Sequence, residues 1–385
     1  MKVIHYCGTF TKLSETFIYD VIVELEQSGI DNRVVANKTI VQPERTFSKV
    51  CRLQTPFFSL MLSRLKKCLS LLRLCSYTSG DEQLKHRRKA LYKVLRNEKP
   101  NLIHAHFGTQ GVAVLPVARQ LGIPLVVSFH GYDAFRLPNE PGWPARFLEL
   151  FDGAAMITVV SEIMYRQLRS LGCPEHKLRL IHVGKRLSDY PFRVHNRKPL
   201  RNFVSVGRLQ DKKGFRDCIQ AFQLLAGKYE GLTLKIIGTG SQEEELKSLI
   251  QLGEQQITFM GPLSHEETKR QINAADAFIL CSKTGRNGDK EGIPVVLMEA
   301  QAIGLPCIST HHSGIPEVIP AESHWLLAEE GNAPDIAMKI EQLVNAPVEM
   351  LEQLSMLGRE KIEADFNLEV EVGKLKNIYS SIINE

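Results

Sequence analysis

Short runs rich in Val and Ile, beginning with Lys2-Val3-Ile4-His5-Tyr6, alternate along the chain with longer segments of helical period. Strands that are apolar throughout and separated by amphipathic stretches are what a parallel sheet covered by crossover helices requires. In the first half the pattern predicts strands at 2–7, 33–37, 101–105, 124–129, 154–160 and 178–181, with helices near 15–28, 57–76, 81–97, 109–121 and 161–171. A polar stretch from Gly184 to Leu200, with Pro191, Pro199 and five basic residues, breaks the alternation. It restarts at Asn202–Val206, continues with strands near 232–237, 256–260, 276–280 and 306–309, and ends in three helices between about 333 and 383. The expected fold class is α/β, with two doubly wound domains facing across a cleft and helices at the C-terminus. The expected divisions are 1–190, 191–365 and a final helix at 366–385 that returns to the first domain. Ligands of such sheets bind beyond the carboxyl ends of the strands, which directs attention to the cleft.

A chain of 385 residues, divided by a typical domain of about 150, is long enough for two to three domains with a substantial core. At 43% apolar and 24% charged residues, its composition excludes a mainly disordered or fibrous protein. No apolar run approaches the 18 or so residues of a membrane span, and the first residues lack a signal peptide's apolar region. The expectation is a cytoplasmic protein. Eight cysteines, at 7, 51, 68, 75, 173, 218, 281 and 307, form no C-x-x-C pair and mostly lie in apolar stretches. Buried thiols of a reducing compartment fit that pattern better than disulfides or a zinc knuckle.

Charge is uneven. Residues 1–196 carry 28 Lys and Arg against 16 Asp and Glu, whereas the remainder carries 20 against 27. Between Arg52 and Lys99 twelve basic residues face three acidic ones. In Phe57 to Tyr77, Phe58, Met61, Leu62, Leu65, Leu69 and Leu72 share one helical face, with Lys66, Lys67 and Arg73 opposite. Such a helix packs its apolar stripe on a domain core, while Lys66, Lys67 and the following Arg87, Arg88 and Lys89 form a basic region suited to anionic phospholipid or to plain solvation.

Three segments carry the chemistry. In EGIPVVLMEAQ, Glu291 to Gln301, a helix opens near Pro294, and its free N–H groups, with Gly292 and Ile293 before it, make a ready anion site. Glu291 and Glu299 bracket that turn; Glu299 can accept from a ribose or be an exposed helical carboxylate. In VGRLQDKKGF, residues 206–215, Gly207 precedes Arg208, a rigid fork, and Lys213 adds a flexible charge; the loop is a diphosphate clamp or a solvated turn. In SFHGYD, residues 128–133, His130 follows a strand and Asp133 lies three residues on. The G-x-G of IIGTGSQEEEL lacks the third glycine of a dinucleotide fingerprint and reads as a tight turn. His104 and His106 share a strand face without evident further ligands. With no D-x-D pair in the sequence, a metal-held diphosphate has no obvious ligands, so a bound diphosphate must be neutralised by Arg208, Lys213 and helix N-termini.

These segments, taken in order with GTFTKLSETFI, VVSE at 159–162, FMGPL at 259–263 and STHHSGIPEVI at 309–319, resemble family four of the retaining glycosyltransferases, enzymes of the two-domain GT-B fold. SETFI and EGIPVVLMEAQA are most similar to the colanic acid and amylovoran exopolysaccharide type. The resemblance implies an N-terminal acceptor domain and a C-terminal nucleotide-sugar domain. It implies that Arg208 and Lys213 hold the donor diphosphate beside Gly207, and that Glu299 accepts from the ribose. Glu291 and the turn Gly292-Ile293-Pro294 would contact the donor sugar, which His130 would touch from the opposite domain. Ser14, Glu15 and Asp133 would belong to the phosphate or acceptor side. No metal or resident cofactor is implied, the nucleotide-diphosphate sugar being a co-substrate. Two departures stand out: Thr9 to Ser14 replaces the family's Gly-Gly loop, and Gly184-Lys185-Arg186 replaces its G-I/V-D segment.

The implied function is transfer of a sugar from a UDP- or GDP-sugar to a lipid-linked saccharide for exopolysaccharide, capsule or O-antigen, with retention and without metal. The enzyme would sit peripherally on the inner face of the cell membrane, with no nucleic-acid partner. A nucleotide-sugar epimerase of the same fold and a two-lobed sugar-binding protein are the alternatives.

Overall fold

The computed structural model describes residues 1–12, 15–53, 79–196, 198–250 and 256–384. The expected basic helix at 57–76, with Lys66 and Lys67, and the site residue Ser14 lie outside the described residues.

The first sheet is parallel throughout and holds β1 (Lys2–Phe10), β2 (Asp31–Thr39), β3 (Val50–Arg52), β4 (Leu102–His106), β5 (Leu125–Phe129), β6 (Met156–Val159) and β7 (Leu178–Leu180). Its strand order is β3-β2-β1-β4-β5-β6-β7. Every residue of β4 and β5 is buried, because helices cover both faces. The second sheet, also parallel, has the order β10-β9-β8-β11-β12-β13. Its strands are β8 (Asn202–Val206), β9 (Thr233–Ile237), β10 (Ile257–Gly261), β11 (Ala277–Ile279), β12 (Cys307–Thr310) and β13 (Leu327–Ala328). Strand order reverses between β1 and β4 and again between β8 and β11, so each sheet has a crevice at the carboxyl ends of those strands. The doubly wound expectation holds. The edge strands β3 and β13, three and two residues long, were not expected, being too short to show a period.

The chain leaves the first sheet after β7 and comes back at its end. Helix Leu368–Asn384 packs Leu368, Val372, Leu375 and Tyr379 onto Val3, Leu25, Leu102 and Val126. Tyr379 Oη lies 2.6 Å from His104 Nδ1, beneath the first sheet. Of the cysteines among the described residues, five are buried free thiols and Cys51 is exposed on β3.

Three sequence motifs meet where the two sheets face each other. A Cβ on Gly292 would lie 2.5 Å from the His130 carbonyl oxygen, and one on Gly314 would lie 2.4 Å from the Gly292 oxygen. Only glycine permits such backbone contact. Beside it, the Glu317 carboxylate of the GIPE turn accepts from the N–H groups of Glu162 and Ile163 at 2.8 and 3.2 Å. The second domain thus caps the helix Glu162–Ser170 of the first.

Candidate active site

Both crevices open into one cleft of about 960 Å³, lined from the first domain by Gly8, Thr9, Glu15, Phe107 and His130 and from the second by Gly207, Arg208, Lys213, Glu291 to Pro294 and Glu299, among others. Among the described residues, every expected site residue except Asp133 therefore lies on the cleft.

β8 ends at Val206, and Gly207 and Arg208 turn out of the sheet. Would-be Cβ atoms on Gly238 and Gly240 would come within 1.9 and 2.3 Å of the Gly207 and Leu209 oxygens, so the G-x-G turn packs directly under this loop. Gly214, with φ 65°, passes so close to Cys281 that a Cβ would sit 1.7 Å from its carbonyl oxygen, which fixes the lysines before it. Arg208 is exposed in the cleft and makes no ion pair among the described residues. Lys213 is half-buried, with Nζ 3.1 Å from Glu291 Oε2. Lys212, which the sequence reading passed over, lies 3.5 Å from Glu291 Oε1 and 3.1 Å from Asp289. Burial lowers the Lys213 pKa from its ordinary value, although Glu291 pulls the other way. Burial would raise Glu291, but Lys213 and Lys212 reverse the effect and hold it at about 2. Glu291 is thus ionised at neutral pH.

Pro294 stands at the N-cap of helix Val295–Ala302, one position ahead of the first turn where it was expected. Glu299, on that helix, is 6% exposed and not the solvated carboxylate that spacing allowed. Its Oε1 lies 2.7 Å from Nζ of Lys185, itself buried.

From the opposite wall, the His130 ring packs against Phe17 and Phe107, with centroids 4.7 and 4.8 Å away. Neither of its ring nitrogens has a hydrogen-bond partner, and burial lowers its pKa to about 3, so the imidazole is neutral. Asp133 is turned away from the cleft. Its carboxylate accepts from the N–H groups of Gly108 at 2.8 Å and of His130 and Gly131 at 3.0 Å, which holds the His130 loop in place. Glu15 is on the cleft, paired with Lys12.

The register of β1 on β4 places His5 opposite His104, supplying a third ring to the pair His104 and His106. These rings are already bonded to other groups. His5 contacts His106 Nε2 and Asn32 Oδ1, each at 3.0 Å, and His104 contacts Tyr379 and Ser128, each at 2.6 Å. Only His106 Nδ1 lacks a partner within the cluster, which makes it a hydrogen-bonded core network and not a prepared ligand set.

Residues 14–187 match the model of glycosyltransferase family 4, and residues 190–361 match that of the group 1 glycosyl transferases. AmsK of Erwinia amylovora, an amylovoran biosynthesis glycosyltransferase, is 32% identical over 74% of this chain and 72% of its own length. WcaL of Salmonella typhimurium, named for colanic acid biosynthesis, is 32% identical over 72% of this chain and 70% of its own. The chain is a family 4 glycosyltransferase. Solved structures agree on the fold of this glycosyltransferase. Sucrose-phosphate synthase of Thermosynechococcus elongatus superimposes with a TM-score of 0.78 at 18% identity, covering 100% of both chains. Anabaena HepE, solved with UDP and glucose, gives 0.76 at 16% identity, covering 99% of this chain and 100% of its own. The two facing domains are those of the GT-B fold.

Proposed function

We propose that this glycosyltransferase transfers a sugar, with retention and without metal, from a UDP- or GDP-sugar to a lipid-linked saccharide in the assembly of a cell-surface polysaccharide. The observation that carries the reading is the placement of Arg208, Lys212 and Lys213 at the end of β8, across the cleft from the unpartnered His130 ring. The names of AmsK and WcaL support the polysaccharide, and HepE's complex with UDP supports the donor class.

Breaking the bond between an anomeric carbon and a diphosphate builds negative charge on the leaving group. Arg208 and Lys213 meet that charge with fixed cations, which stabilise the transition state more than the ground state. Lys213 trades part of its bond to Glu291 for the diphosphate, while Lys212 keeps Glu291 ionised. The amides of Gly292 and Ile293 and the Glu291 carboxylate orient the sugar hydroxyls, and His130, neutral, offers one donor and one acceptor. Glu299 accepts from the ribose. Consistent with retention, the acceptor hydroxyl attacks the anomeric carbon from the leaving-group side as the bond to the diphosphate breaks, and its proton goes to the departing phosphate.

No helix among the described residues is long and apolar enough to cross a membrane. The proposed enzyme meets its lipid-linked acceptor at the cytoplasmic membrane face through its basic first domain, to which Arg87 and Lys89 of helix Ser79–Glu98 contribute. Arg88 contributes less, because its Nε donates to the Ala113 oxygen at 3.3 Å. Incubation with radiolabelled nucleotide sugars and membrane lipid tests the function: label entering the lipid fraction supports transfer, epimerised donor supports an epimerase, and unreacted donor supports a binding protein.

A further inference from the structure

Lys185 stands where the family's segment carries an apolar residue, and the structure gives its side chain an unusual address. Gly184, just before it, lies so near the returning chain that a Cβ would be 2.4 Å from Leu368 Cα. Lys185 N–H donates to the Phe366 oxygen at 2.8 Å, and Leu368 N–H donates to the Lys185 oxygen at 3.1 Å. Both backbone polar groups of Lys185 are therefore fixed at the point where the two chain crossings between the domains lie side by side. From that anchor its ammonium reaches Glu299 Oε1 at 2.7 Å, with the Tyr190 ring centroid 5.4 Å away.

A carboxylate buried on an apolar helix has two cheaper alternatives to lying ionised in the cleft wall: it can take up a proton or swing out to water. A protonated Glu299 would lose acceptor capacity toward ribose hydroxyls. Burial opposes both charges, yet Lys185 is raised and Glu299 lowered from their ordinary values, because each holds the other. Asp20, on helix Thr16–Gln27 of the first domain, adds its field to Lys185, and His265 of the second adds its own to Glu299. Neither displaces the direct bond.

We propose that Lys185 is a positioning residue for the donor: anchored at the interdomain crossing, it holds Glu299 ionised and aimed into the cleft, and so sets the enzyme's preference for nucleotides that carry ribose hydroxyls. This rests on the reading of Glu299 as the ribose acceptor, and Lys185 acts through Glu299 without touching the nucleotide.

The test is calorimetric titration of UDP and GDP, each beside its 2′,3′-dideoxy counterpart, into wild type, Lys185→Met, Glu299→Gln and the double variant. Wild type is expected to prefer the ribonucleotide about ten- to a hundredfold, the range of a hydrogen bond to a charged group. In Lys185→Met that preference collapses while dideoxynucleotide affinity stays within about threefold, an effect that general loosening of the fold would not select. Because Lys185→Met strands a buried carboxylate, the double variant, which removes both charges, carries the test if the single one does not fold. It binds as Glu299→Gln alone does. An unchanged ribose preference in Lys185→Met, equal weakening of both nucleotides, or a double variant markedly weaker than Glu299→Gln overturns the proposal and leaves the donor reading standing. A wild type that binds neither nucleotide overturns the donor reading itself, and one that binds without preferring ribose overturns the Glu299 contact and this role with it.

Discussion

Lys213 Nζ lies 3.1 Å from Glu291 Oε2, so the half-buried cation assigned to the donor diphosphate is balanced within the protein by the carboxylate assigned to the donor sugar. Arg208, a few residues earlier, is exposed and makes no such pair among the described residues. The two cations should therefore separate when stability and turnover are both measured. Each alanine variant is expected to lose about ten- to a hundredfold in turnover, the equivalent of one charge-assisted contact of roughly 1.5–3 kcal/mol. Arg208→Ala should melt within about 0.5 kcal/mol of wild type, as exposed substitutions do. Lys213→Ala should melt lower, because Glu291 keeps only Lys212. Initial rates at subsaturating donor and thermal melts check both, and a wild-type rate in either variant contradicts the diphosphate assignment.

Glu317 accepts from two backbone amides of the other domain, and its replacement should be felt at the interface. Glu317→Ala removes both acceptors from the start of helix Glu162–Ser170. The expected cost is about 1 kcal/mol, typical of a lost helix cap. Small-angle scattering should show a more open molecule, and unchanged melting and dimensions would mean that the cap holds nothing together.

Acid sensitivity should come from the histidines of the first domain before it comes from the carboxylates. Burial lowers His130 to about 3 and His5 to about 4, and puts His104 and His106 well below 6.5. These rings are neutral when folded and take up protons near pH 6.5 when unfolded, so stability falls as pH drops below about 6.5 and is unaffected above it. Glu291 works in a lower window: its folded value of about 2 against an ordinary 4.5 contributes stability above 4.5 that disappears only between 4.5 and 2. Melting temperatures should begin to fall near pH 6.5 in wild type and fall less steeply in His130→Asn. An identical slope in both would show that His130 is not buried in its neutral form.

For the membrane, liposome sedimentation at low and high salt should show binding to anionic vesicles that weakens as salt rises. Changing Lys66, Lys67, Arg87, Arg88 and Lys89 together to Gln should abolish it, and equal pelleting with neutral vesicles would leave these residues as an ordinary solvated surface.

Much of this architecture is legible in the chain because a parallel strand buried on both faces has to be apolar throughout, as β4 and β5 are. Glycine positions that let backbones touch, such as Gly292 and Gly314, show in the sequence as motifs, though not as a contact between them. What the sequence hides is pairing over long separations. Lys185 bonds Glu299 across 114 positions, Glu317 caps Glu162 across 155, and His5 joins His104 only through the register of β1 on β4. Asp133, read as a candidate for the phosphate or acceptor side, faces three backbone amides instead, a local use of Asp that spacing does not separate from a ligand role. One lysine of a doublet looks like the other in sequence, and only the contacts of Lys212 with Asp289 and Glu291 show that both reach the site.

The central claim is that the interdomain cleft binds a nucleoside diphosphate sugar through Arg208 and Lys213 without a metal. Direct titration of UDP- and GDP-sugars into wild type, Arg208→Ala and Lys213→Ala, each with EDTA present, tests it most plainly. The account predicts that at least one of these donors binds wild type in EDTA and that each variant binds it about tenfold or more weakly. Binding that vanishes with EDTA and returns with magnesium or manganese, or that is equal in all three proteins, would contradict it.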